Sequence, residues 1–133
     1  MRPTGCRCNA ACVPLQCLIV DDSAPFLAAA VGLLEREGVT VVGVASDSAD
    51  ALQKAHKLCP DVILVDIALG SESGLDLAQH LAEMGSNAVG VILISTHPEA
   101  DFADLIEELP VTGFLAKSDL SATAVQQLIR GGL

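Results

Sequence analysis

The sequence predicts an α/β protein built on one doubly wound parallel sheet, and three observations point there. Strand-like and helix-like patterns alternate five times between Leu15 and Arg130, which is the pattern of a parallel sheet covered by helices on both faces. The strand-like runs are short, aliphatic and often end on a charge: Leu18-Ile19-Val20 before Asp21, Val62-Ile63-Leu64-Val65 before Asp66, Phe114-Leu115-Ala116 before Lys117. Continuous apolar runs of that length read as strands buried on both faces. The chain has 133 residues, 51% of them hydrophobic, with neither Trp nor Tyr. That suits one domain with a single aliphatic core.

Leu15–Val20 reads as the first strand. Ser23 can cap the following helix and Pro25 suits its first turn. Phe26, Ala29, Ala30, Leu33 and Leu34 then recur at helical spacing until Gly38 closes the segment. Thr40–Ala45 is β-branched and reads as the second strand. Asp47 caps a second helix with Ala51, Leu52, Ala55 and Leu58 on its apolar side, and Pro60 stops it. Val62–Val65 is the third strand. A Gly/Ser-rich loop, Leu69 to Gly74, leads to a third helix with Leu75, Ala78, Leu81 and Ala82 inward and Gly85 at its end. Val89–Ile94 is the fourth strand. Pro98 opens a fourth helix carrying Phe102, Leu105, Ile106 and Leu109. Val111–Ala116 is the fifth strand, and Ser121–Arg130 the fifth helix, with Val125, Leu128 and Ile129 inward. No internal repeat, linker or second domain is expected.

Residues 1–14 read as a flexible leader containing cysteines, and residues 15–133 as the folded domain. Cys6, Cys8, Cys12 and Cys17 follow Cys-x-Cys-x₃-Cys-x₄-Cys spacing, which lacks the paired knuckles of common zinc sites. Reduced thiols in a leader are the simpler reading. The formal net charge is -10. Direct nucleic-acid binding relies on a basic face, and anionic membrane repels an acidic protein, so neither is an expected partner. No apolar stretch approaches a membrane span and no signal-peptide core is present; a cytoplasmic location is expected.

In open α/β sheets, ligands bind beyond the carboxyl ends of the strands, where the winding changes direction between the first and third strands. Asp21 and Asp22 end the first strand and Asp66 ends the third, so all three meet there. Ser95 ends the fourth strand and Lys117 lies just past the fifth, adding a hydroxyl and a cation. Gathered carboxylates call for a cation between them, and oxygen-only ligands suit Mg²⁺. A lysine opposite them suits a phosphoryl group. Each residue alone has an ordinary reading: acids cap helix N-termini, and lysines are usually solvated. Their joint occurrence at strand ends favours a site. His56 and His80 read as surface residues, and His97 as a modulator at most.

This constellation resembles the receiver domain of two-component response regulators over about residues 15 to 130. The resemblance rests on the pair Asp21-Asp22, Asp66 after its hydrophobic strand, Gly74 eight residues on, Ser95 after Val91-Ile92-Leu93-Ile94, and Lys117 after Gly113-Phe114-Leu115-Ala116. It implies a flavodoxin-like (βα)₅ fold with strand order 2-1-3-4-5. It implies Asp66 as phosphoacceptor from a sensor histidine kinase or phosphotransfer protein, an aspartyl nucleophile being sound chemistry. Asp22 and Asp66 would hold Mg²⁺ directly, Asp21 through a water, and the Ala68 carbonyl as a further ligand. Lys117 would pair with a phosphoryl oxygen and Ser95 donate to another. Phe114 would be the aromatic switch reporting modification to a downstream protein target. A phosphorylation-dependent homodimer is compatible with this.

The chain departs from the family pattern at three places: Ser118 follows the lysine where proline, often cis, is usual; Leu69-Gly70 replaces a common proline; Thr96 stands where alanine is preferred. A cis bond before a residue other than proline costs about 3–4 kcal/mol. The leading expectation is a stand-alone phosphorylatable switch, not an enzyme acting on an external substrate. Alternatives are a degenerate receiver acting as a phosphorylation-independent interaction module, a Mg²⁺-dependent aspartyl phosphohydrolase, and a truncated transcription factor. The hydrolase reading lacks the expected Asp-x-Asp, having adjacent Asp21-Asp22.

Overall fold

The computed structural model describes residues 15–70, 72–84, 90–96 and 111–131. Strands β1 (Gln16–Val20), β2 (Thr40–Ala45), β3 (Val62–Asp66), β6 (Gly90–Ser95) and β7 (Gly113–Ala116) form one sheet in the order β2-β1-β3-β6-β7. All its pairings are parallel. Counting only the strands of this sheet, the order is the expected 2-1-3-4-5. Helices α1 (Ala24–Arg36), α2 (Ser48–Leu58), α3 (Gly74–Met84) and α4 (Ala122–Gly131, the fifth helix of the sequence pattern) accompany it. The expected fourth helix from Pro98 to Leu109, and with it His97, Gly85 and the leader cysteines, lie outside the described residues.

The alternation of side chains along each strand divides the core in two. Leu18, Val20, Ile63, Val65, Val91 and Leu93 face Ala51 of α2 and Leu77, Ala78 and Leu81 of α3. Cys17, Ile19, Val62, Leu64, Ile92 and Ile94 face Ala30 and Leu34 of α1 and Val125 of α4. Because both faces are covered, the central strands are apolar from Cys17 to Val20, Val62 to Val65 and Val91 to Ile94 and show no polar alternation. That is why they read as unbroken runs.

Local chemistry sets the helix ends. Ser23 caps α1, its Oγ accepting from Phe26 N–H, with Pro25 in the first turn; Asp47 caps α2, accepting from Asp50 N–H. Pro60 does follow α2, but the stop is made by Cys59, which takes a left-handed conformation at φ 48° and donates its N–H to Ala55 O. Sequence rules look for glycine at such a position. Gly38, just past α1, has φ 98° and fulfils that rule.

One expectation is corrected. The segment after Asp66, read as an open loop, contains a two-stranded antiparallel hairpin, β4 (Ala68–Leu69) and β5 (Glu72–Ser73). Gly70 at φ 58° closes its turn. Glu72 then reaches back to α2, accepting from Ser48 N–H at 2.8 Å and Ser48 Oγ–H at 2.9 Å. Segments with so few β-branched residues carry little strand signal, and the side-chain anchor is long-range. The fifth strand starts at Gly113 and not Val111; just before it, Thr112 N–H donates to Val91 O (2.7 Å) and its Oγ1 accepts from Val91 N–H (3.2 Å).

Candidate functional site at the carboxyl edge of the sheet

Register brings the acids together. Val20 pairs with Val65 across β1 and β3, so Asp21 and Asp66 follow as neighbours one residue on. The ladder continues past the strand ends, with Asp21 N–H bonding Ala45 O at 2.9 Å and Ile67 N–H bonding Ile94 O at 3.0 Å. These bonds hold the backbone on either side of the acids, so the carboxylates are placed by the sheet and not by mobile loop. Asp21 is fully buried and Asp66 is 5% exposed, while Asp22 is exposed. One carboxylate oxygen from each of Asp21, Asp22 and Asp66 lies within 4.8 Å of the others.

Gly74 fixes the floor of this edge. Its N–H donates to Ile67 O at 2.8 Å, and a Cβ built on it would stand 1.8 Å from Asp66 O. No side chain fits there, so α3 can start against the Asp66 backbone only with glycine at this position.

Lys117 opens a short 3₁₀ turn (Lys117–Asp119) directly after β7. Its Nζ stands 2.7 Å from Asp21 Oδ2 and 3.4 Å from Asp66 Oδ2. The remaining oxygens have backbone partners: Asp21 Oδ1 accepts from Ser23 N–H at 2.8 Å, and Asp66 Oδ1 from Ala68 N–H at 3.2 Å. Asp21 Oδ2 is buried and has the Lys117 ion pair but no well-formed hydrogen bond. The peptide bond from Lys117 to Ser118 is trans, like every other among the described residues.

The electrostatics follow from this geometry. Burial raises the Asp66 pKa, and repulsion from Asp21 adds to it; Lys117 and the Ala68 N–H oppose the rise without cancelling it. Burial works to lower the Lys117 pKa, but the paired carboxylates outweigh it, so its pKa rises. Three carboxylates against one ammonium leave two uncompensated negative charges at the site. A divalent cation on the clustered carboxylate oxygens would balance them. The donor set therefore fits Mg²⁺.

The other sequence-predicted residues fall around this cluster. Ser95 is buried at the end of β6, paired in register with Ala116, the residue before Lys117. Ala68 sits exposed at the start of the hairpin. Phe114 is half-buried against the core beneath α2 and α3. His56 and His80 are exposed on their helices. Cys17 points into the core, where burial pushes its thiol up to about 12. It is thereby removed from the four-cysteine zinc set. Sequence reasoning placed Phe26 in the core stripe of α1 and missed that its ring also underlies Lys117 Nζ, 4.4 Å from the ring centroid. Its position four residues after an acid pair carries no signal of that contact.

Comparison with known proteins agrees with the geometry. The family described as "Response regulator receiver domain" matches residues 17–129. The nitrate/nitrite response regulator protein NarP of Escherichia coli is 35% identical over 120 residues, covering 90% of this chain and 55% of NarP. A protein-glutamate methylesterase/protein-glutamine glutaminase of Myxococcus xanthus is 37% identical over 92 residues, covering 68% of this chain and 26% of that protein. The chain thus spans about a quarter to just over half of the length of these relatives. The solved receiver domain of a NarL response regulator from Mycobacterium tuberculosis superposes with a TM-score of 0.77 at 28% identity, covering 89% of this chain and 98% of that one. Sheet order, carboxylate edge and a match across almost all of the described residues lead to one assignment: the chain belongs to the response regulator receiver domain family of two-component signalling.

Proposed function

We propose that Asp66 is the phosphoacceptor of a two-component phosphorelay and that the receiver, taken as residues 15–133, works as a switch. The observation that carries this reading is the convergence of Asp21, Asp22 and Asp66 with Lys117 at one strand edge. An Asp66 carboxylate oxygen attacks the phosphorus of a phosphohistidine on a sensor kinase or phosphotransfer protein. The new O–P bond forms as the P–N bond breaks, and its electron pair stays on the imidazole nitrogen. Asp22 and Asp66 would hold Mg²⁺ directly, with Asp21 assisting through a water and the Ala68 carbonyl as a further ligand. When bound, the metal would neutralise charge on the transferring group.

The chain's own groups do the rest. The Ala68 N–H holds Asp66 Oδ1 and so leaves Oδ2 facing Lys117. Lys117 Nζ already contacts Asp66 and is placed to meet a phosphoryl oxygen there. Ser95, buried at the end of β6, donates its hydroxyl to another oxygen. Phe114, half-buried, turns inward and reports the change to a downstream protein target.

The acidic surface supports a protein partner over nucleic acid. Among the described residues no helix is long and apolar enough to cross a membrane, which accords with a cytoplasmic setting. The test is acetyl phosphate treatment with Mg²⁺, then hydroxylamine, which converts an acyl phosphate to a hydroxamate. Peptide mass mapping should find the hydroxamate on Asp66. A hydroxamate on any other residue would refute the assignment.

A further inference from the structure

Lys117 is enclosed on three sides. Its ammonium is ion-paired with Asp21 Oδ2 at 2.7 Å and donates to Asp66 Oδ2 at 3.4 Å. The third side is closed by the face of Phe26, with Nζ 4.4 Å from the ring centroid. That lies inside the ~6 Å range over which a ring's quadrupole attracts a cation. Only 14% of the Lys117 side chain is exposed, so water does little to screen the contact.

The ring is itself held in place. Phe26 N–H donates to Ser23 Oγ at 3.4 Å, and Ser23 N–H donates to Asp21 Oδ1 at 2.8 Å. Asp21 Oδ2 closes the circuit on Lys117. On its apolar side Phe26 packs against the core shared by α1 and α4. One carboxylate therefore fixes the helix start that carries the ring and also the cation that rests on the ring.

We propose that Phe26 is a positioning residue for Lys117: its ring face holds the ammonium over the Asp21–Asp66 pair and so sets where the cation stands when a phosphoryl group arrives. The consequence for phosphoryl transfer rests on the reading of Asp66 as phosphoacceptor; the contact itself does not. A leucine in place of Phe26 would pack the lysine stem about as well but has no quadrupole. A tyrosine keeps the ring face. The two substitutions therefore separate packing from positioning.

The experiment compares the full chain with Phe26→Leu and Phe26→Tyr by two readouts. In proton–carbon NMR of the free protein, the ε-methylene of Lys117 should lie upfield of those of Lys54 and Lys57, shifted by the ring current. The displacement should vanish in Phe26→Leu and persist in Phe26→Tyr. Labelling by acetyl phosphate with Mg²⁺ should slow about five- to tenfold in Phe26→Leu and stay within about twofold of wild type in Phe26→Tyr. An unshifted Lys117 resonance in the wild type, or a Phe26→Leu protein labelled as fast as wild type, would overturn the proposal. A wild type with the shifted resonance but no labelling would refute the reading of Asp66 and support the placement of Lys117 by Phe26.

Discussion

Asp66 is held in a setting that disfavours its own charge, first by burial and then by Asp21. Its folded pKa lies above the ordinary 3.8. Ionising it therefore costs more in the folded chain than in the unfolded one. The stability it contributes below 3.8 is lost as pH rises through the raised value. Without divalent metal, the Asp66 contribution to thermal stability should thus fall as pH rises from about 4 through that raised value. In Asp66→Asn that part of the decline should disappear, leaving the variant the more stable protein at neutral pH. A wild type and variant with parallel stability–pH curves would contradict the placement of Asp66 beside Asp21. This acid, its partners and Lys117 were legible in the sequence because strand-end charges after apolar runs are conspicuous. Phe26 was not, because an apolar residue at helical spacing looks like core whether or not a cation rests on it.

The strands of the main sheet were legible for a similar reason. Leu18, Ile63 and Ile92 belong to runs buried in the core, and their short length and β-branched residues mark them as strands and not helices. The hairpin between Ala68 and Ser73 was not, since its closure depends on Gly70 at positive φ and on Glu72 reaching Ser48, 24 residues away. The end of α2 was only half legible. Pro60 announced a stop, but the residue making it is Cys59 in a conformation that a side chain disfavours. Left-handed backbone costs a residue with a Cβ about 1 kcal/mol. Cys59→Gly should accordingly raise the melting temperature by about 4 °C, read by differential scanning calorimetry under reducing conditions. An unchanged or lowered midpoint would show that the Cys59 Sγ contact to His56 O, at 3.5 Å, offsets the backbone cost.

At the scale of the whole molecule, two uncompensated negative charges sit in a protein of formal net charge -10. Any cation that binds the folded site and not the unfolded chain stabilises the fold by mass action, about 2.7 kcal/mol at a hundred times its dissociation constant. Midpoint temperature should therefore climb with Mg²⁺ concentration, and the climb should be lost in Asp22→Asn. The fold as a whole needed only the βα alternation to be predicted. The partner surfaces are harder to read from sequence, because a kinase or target recognises exposed helix faces, where many side chains serve equally well.

The central claim is that this edge accepts a phosphoryl group on Asp66 with the help of Mg²⁺. Intact-mass spectrometry after incubation with acetyl phosphate tests it most directly, with and without Mg²⁺ and in wild type beside Asp66→Asn. The expected result is a single added phosphoryl that needs the metal and is absent from the variant. A folded wild type that gains nothing, or a variant that gains as much, would contradict it.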